Sequence, residues 1–189
     1  MSQSGLKRLL LVLVLLVPFA GCESPGIVAP PVLRERPTVN LPLSMRQPNW
    51  IGVRGQGSCT WATMVSLLRW QSRYHTADWV RSNYGDGEYP EDYAAKLDQA
   101  GVRYAYVTNG DVRFLELACR TRRGCGITVM GGAHFVALVH LDDKWAAILD
   151  NNVEKFIWVP RETLIAEWKA SYGWAVTPVY TPAAPLPPQ

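Results

Sequence analysis

Cys59 stands in the run Gln56-Gly57-Ser58-Cys59-Thr60-Trp61-Ala62, where small residues give way to an apolar pattern. Trp61, Met64, Val65 and Leu68 recur at three- and four-residue intervals, which predicts a helix from Cys59 to about Trp70 with one buried face. A cysteine heading a helix meets unpaired backbone N–H groups and the positive end of the macrodipole, so it ionises more readily than one in a helix interior. A thiolate made in this way is a nucleophile, and a neighbouring base can hold and return its proton. His134 follows Gly131-Gly132-Ala133 and opens the apolar run 135–139, and Asp150, sixteen residues later, closes the apolar run 145–149. A lone cysteine is more often an inert buried thiol. The conjunction of the three residues is what favours chemistry.

These residues need elements to hold them. A short helix is expected through Thr76, Trp79 and Val80, stopping at Gly85-Asp86-Gly87. A further helix has Pro90 and two acids at its start, Ala94, Leu97 and Ala100 as its inner face and Gly101 as its stop. Residues 102–107 read as a strand, Asn109-Gly110 as a turn, and Asp111 as the N-cap of a helix reaching about Arg122. The runs 127–130, 135–141, 145–149 and 156–159 are short, apolar and rich in Val, Ile and aromatics, and read as strands of one sheet. Residues 160–168 support a late helix and 173–176 a closing strand. A helical first half followed by an antiparallel sheet is an α+β order.

Strand register decides which side chain meets His134. Leu141-Asp142-Asp143-Lys144 makes the hairpin turn, and side chains alternate faces along each strand. Pairing of 140 with 144 sets Asp150 opposite His134; other loop lengths bring Asn151 or Asn152 there, and all three side chains can orient an imidazole. His140 has the same strand parity as His134 but lies about 20 Å further along, which removes it from the site. His75 falls in a polar break after the first helix, and most of the tryptophans sit at core-like spacings.

The string QGSC followed by TWA, the late histidine before a strand and the carboxylate sixteen residues on resemble the papain-like cysteine peptidases, in particular the bacterial double-glycine-type (bacteriocin-processing) peptidases. The resemblance spans about Trp50 to Val179. It implies a papain-like fold with the nucleophile at the N-terminus of the central helix, and a Cys59–His134–Asp150 triad acting on peptide or protein substrates. Asp150 is the family's spacing. An oxyanion donor is implied as well, for which Gln56 is the candidate, although the family commonly places its glutamine about six residues before the cysteine, where this chain has Val53. No metal or cofactor is implied, and no His/Cys grouping here has zinc-ligand spacing. Two rivals stand beside this reading. Cys-Thr-Trp after Gly-Gln also resembles the CHAP amidases of peptidoglycan, though their usual Gly-Asp-Ile-type strand before the histidine is missing. A catalytically inactive peptide- or partner-binding domain of the same shape is the other.

Lys7 and Arg8 precede an apolar run from Leu9 to Phe19 and then Ala20-Gly21-Cys22, the three-part form of an export signal ending in a lipobox-like site. The apolar part is shorter than the roughly 20 residues of a membrane span. Residues 1–22 are therefore read as a signal and Cys22 as a lipidated residue, with 23–45 a proline-rich spacer, 46–180 the domain and 181–189 a proline-rich tail. This places the chain outside the cytoplasm, anchored to a membrane. The formal charge of +3 falls close to zero without Lys7 and Arg8, which gives no reason to expect nucleic acid as a partner. Arg120, Arg122 and Arg123 end a predicted helix, where cations favour the macrodipole. Export permits disulfides, so Cys119 and Cys125 are expected to be joined, the alternative being two reduced buried thiols.

Overall fold

In a computed structural model that describes Val39 and residues 41–181, the order of elements follows the apolar periodicities closely. The helices are α1 (Cys59–Trp70), α2 (Tyr74–Asn83), α3 (Pro90–Gln99), α4 (Val112–Arg120) and α5 (Arg161–Ala170). The strands are β1 (Tyr104–Val107), β2 (Cys125–Val129), β3 (His134–Leu141), β4 (Trp145–Leu149), β5 (Phe156–Pro160) and β6 (Ala175–Pro178). Pro90 occupies the start of α3, where its missing N–H costs nothing, and the Asp111 side chain accepts from the Arg113 N–H to cap α4. His75 lies in the first turn of α2 and is exposed, and Arg120 is the last residue of α4.

The strands form one antiparallel six-stranded sheet in the order β1-β6-β2-β3-β4-β5, which makes the chain α+β. β1 is contributed by the first half of the domain and pairs with the last strand, Tyr104 opposite Pro178 and Val107 opposite Ala175. The simple division into a helical half and a sheet half is therefore corrected at two places. β1 belongs to the sheet, and α4 and α5 pack on the face opposite α1, against β3 and β2. The expectation of one buried face on α1 is corrected too. Thr60 through Leu68 and Trp70 are all buried, because α1 lies between α2 and α3 on one side and the sheet on the other.

That sandwiching fixes the head of α1. Trp61 stacks on Tyr84 with ring centroids 4.3 Å apart and meets Tyr93 at 4.5 Å, while the Tyr93 hydroxyl donates to the Thr60 carbonyl at 3.0 Å. Phe135, one residue after His134, packs on Trp174 at 4.7 Å and shares this core. Full burial of each large side chain stabilises by about 1.5–3 kcal/mol, and the first turn of α1 and the first residues of β3 are held by the same apolar cluster. Leu67 and Trp70 on the next face of α1 pack with Ala137, Val139, Ala147, Leu149 and Leu41. Leu41, assigned to the spacer by composition, is thus a core residue with 1 % exposure. Cys22 and residues 182–189 lie outside the described residues.

Candidate active site

Cys59 is the first residue of α1 and is half-buried. The loop before it is tied down from two directions. Ile51 bridges to Gly57, with the Gly52 N–H donating to the Gln56 carbonyl at 2.8 Å. Asp86, between α2 and α3, accepts from the backbone N–H groups of Arg54, at 3.0 and 3.1 Å, and Gln56, at 3.3 Å. Burial pushes the Asp86 carboxyl up, but these backbone bonds and the Arg54 guanidinium outweigh it and hold the group below the usual carboxylate range. Ser58 is fully buried, its N–H donating to the Trp50 carbonyl at 2.9 Å.

His134 begins β3 after a tight turn in which Met130, Gly131 and Gly132 all have positive φ, the conformation that glycine adopts without cost. The Met130 and Gly131 N–H groups donate to Glu167 Oε1 and Ser171 Oγ, at 2.7 and 2.9 Å, anchoring the turn to α5 and the residue after it. Asp150 follows the last residue of β4. His134 Nε2 and Asp150 Oδ1 are 3.0 Å apart, with side chains 11 % and 17 % exposed. A carboxylate only accepts, so Nε2 carries the proton and Nδ1 is the nitrogen left for a second partner.

The route to this contact differs from the expected register. Leu141 pairs with Ala146 and His140 with Ala147, but Leu138 pairs with Ile148 and Ala137 with Leu149, so Val139 is an extra residue on β3, a β-bulge. Continued without the bulge, the hairpin would turn Asp150 to the opposite face from His134. The extra residue restores the parity and brings Asp150 beside His134 diagonally, Val136 being its formal opposite. The bulge also reverses the parity of His140, which bonds Asp142 at 2.9 Å and packs beside Trp158, away from His134.

Of the three candidates for orienting His134, Asp150 makes the bond. The Asn152 amide nitrogen is 3.5 Å from Nε2, donor facing donor, and its backbone N–H instead donates to Asp150 Oδ1 at 2.8 Å. Asn151 does something else. Its Nδ2 donates to the carbonyls of Cys59 at 3.1 Å and Phe135 at 3.0 Å, with Thr63 Oγ1 at 3.3 Å. Its own carbonyl accepts from the Asn49 N–H at 3.0 Å and Arg46 Nη1 at 2.8 Å. One buried side chain thereby joins the residue bearing the thiol to the residue after the imidazole.

Cys59, His134 and Asp150 line one cleft of about 590 Å³, together with Asn49, Gln56, Gly57, Tyr89 and Trp174. No hydrogen bond of full geometry joins the Cys59 and His134 side chains, yet interaction with the thiol is the largest influence raising the imidazole pKa. Burial opposes it, and the Asp150 hydrogen bond and charge add to it. The Gln56 side chain is exposed at the rim and makes no hydrogen bond among the described residues. Cys119 and Cys125 are free thiols, which corrects the expected disulfide. Cys125 is fully buried in the apolar layer between β2 and α4, and burial pushes the Cys119 thiol up to about 12, so both are held protonated.

No protein-family model matches the chain, and no curated protein matches it. The structure is similar to the crystal structure of a double glycine motif protease from an AMS/PCAT transporter in complex with the leader peptide. The TM-score is 0.44 at 18% identity, over 65% of this chain and 85% of that one, a likeness too distant to bear on function.

Proposed function

We propose that this chain is a papain-like cysteine hydrolase that cleaves amide bonds in peptide or protein substrates. The observation that carries the reading is the convergence of a helix-heading thiol, an imidazole and a carboxylate in one cleft, with the carboxylate on Nε2 and Nδ1 left for the thiol. In this reading the Cys59 sulfur attacks the carbonyl carbon while His134 holds the thiol proton, and the carbonyl electron pair moves to oxygen. The pair returns as the C–N bond breaks, and His134 delivers the proton to the leaving amine. Water then adds to the thioester, giving its proton to His134, and releases the acid and the thiol. Asp150 keeps the ring in the tautomer that this sequence of transfers requires. The developing oxyanion is met by the Cys59 N–H, which donates to no group among the described residues, and by a side-chain amide.

The same reading places the domain on the outer face of a membrane through a lipid on Cys22, with the proline-rich segment as its tether. Replacement of Cys22 by serine should release the protein or block its processing, and failure to incorporate radiolabelled palmitate would remove the anchor from the account. For the activity, the full chain and its Cys59→Ala variant are incubated with a mixed peptide library beside peptidoglycan. Cys59-dependent peptide cleavage is the expected result. Muropeptide release would indicate a CHAP-like amidase, and no turnover of either a binding domain.

A further inference from the structure

Resting on the reading of Cys59 as a nucleophile, we infer that Asn49 is a catalytic residue whose side-chain amide donates to the oxyanion, in the place assigned from sequence to Gln56. The Ser58 N–H, which can only donate, is shared between the Trp50 carbonyl at 2.9 Å and Asn49 Oδ1 at 2.7 Å. The Ser58 hydroxyl accepts from the Trp50 N–H at 2.8 Å and donates its own proton to the same Oδ1 at 2.9 Å. Two donors on one atom identify it as the oxygen and settle which way the amide points. Nδ2 is left with no partner among the described residues, on a half-buried residue that lines the cleft.

One neighbour, Gly57, leaves that nitrogen free to act in the cleft. Asn49 lines it together with Gly57, Cys59 and His134. A Cβ at position 57 would stand 3.1 Å from Nδ2 and cover it; glycine leaves the amide open. The Asn49 backbone is fixed too, its N–H donating to the carbonyl of Asn151. The amide is thus positioned by the residue before the thiol and by the residue after the orienting carboxylate. Gln56 has no such restraint on its exposed side chain and would have to be ordered at every turnover. Charge stabilisation in a transition state favours the donor that is already in place.

In the step itself, the sulfur–carbon bond forms as the carbonyl π bond breaks, and the electron pair on oxygen accepts from the Cys59 N–H and Asn49 Nδ2–H. Collapse returns the pair and expels the leaving group, with no net change at Asn49.

The test compares two reagents on Cys59 of the full chain. Acylation by p-nitrophenyl acetate passes through an oxyanion and releases p-nitrophenolate; alkylation by iodoacetamide is a displacement that forms none. Asn49→Asp keeps the acceptor that Ser58 needs and removes the donor, and Asn49→Ala removes the donor without adding charge. Both should slow acylation by on the order of 10²-fold. Alkylation by iodoacetamide should be retained, and Gln56→Ala should slow acylation far less. Equal loss of both reactions in the Asn49 variants would make Asn49 a structural support of Ser58, and unchanged acylation would return the role elsewhere; either overturns the inference while His134→Ala still suppresses both reactions. Indifference of both reactions to His134→Ala would overturn the underlying reading as well.

Discussion

The Asn151 side chain and the Cys59 backbone are joined by a hydrogen bond of 3.1 Å, so the residue directly after the orienting carboxylate grips the head of the helix that carries the thiol. Asp150 points to the imidazole, Asn151 to the helix, and their separation is set by one peptide unit. Asn151→Ala leaves the buried carbonyls of Cys59 and Phe135 without this donor, and should cost about 1–3 kcal/mol in urea or thermal unfolding. Asn151→Asp should be no better, since a carboxylate cannot donate to a carbonyl. Unchanged stability in both variants would contradict the bridging role.

His134 has a pKa raised chiefly by the Cys59 side chain and, after the opposing effect of burial, by Asp150. A raised value means that the protonated ring stabilises the folded state fully below the unfolded value of about 6.5, and that this contribution is lost as pH rises through the folded value. NMR titration of the ring should show a lower pKa in Cys59→Ala than in the unsubstituted chain, and the urea midpoint should fall between pH 6 and pH 9 more than in His134→Gln. A ring that titrates identically with and without Cys59 would disprove the interaction.

Much of the site was legible from the chain because its signals are local. A cysteine at a change from small residues to a helical apolar pattern, a histidine after two glycines and a carboxylate at a strand end each announce themselves over a few residues. The bulge at Val139 has no such signal, since an apolar residue in an apolar strand looks the same paired or unpaired. The roles of Asn49 and Asp86 have no local signal for a different reason. Their partners lie 9 and 32 residues away, and nothing in a polar loop residue says what it will meet. The free thiols of Cys119 and Cys125 have no signal in the chain either, since the expectation of export says only that a disulfide is chemically permitted and nothing about which partners packing gives each thiol.

Asp86 anchors the loop before Cys59 as a carboxylate held below its usual range, so the loop should keep this anchor above about pH 4 and lose it as pH falls through the depressed value. Asp86→Ala should speed hydrogen exchange of the Arg54 and Gln56 amides at neutral pH while leaving α1 protected. Equal exchange rates at those two amides in both proteins would show that the loop holds itself.

The three described cysteines should react in order of environment. At neutral pH the folded protein should take up iodoacetamide at Cys59 alone, with Cys119 and Cys125 labelled only after denaturation, and without prior reduction. A requirement for reductant before Cys119 and Cys125 label would restore the disulfide.

Orientation of the ring by Asp150 sets an order among its variants. Asp150→Ala should lower kcat on a cleaved peptide by on the order of 10²-fold, and Asp150→Asn by less, because an amide oxygen still accepts from Nε2. An asparagine variant as impaired as the alanine variant would mean that the charge, not the orientation, matters.

The central claim is that Cys59 and His134 act as one unit, and the rate of Cys59 alkylation by iodoacetamide from pH 5 to pH 9, in the unsubstituted chain and in His134→Ala, tests it most directly. Alkylation on the acid side of this range should be fast in the unsubstituted chain and strongly suppressed when His134 is removed. Equal rates in the two proteins across the whole range would contradict it.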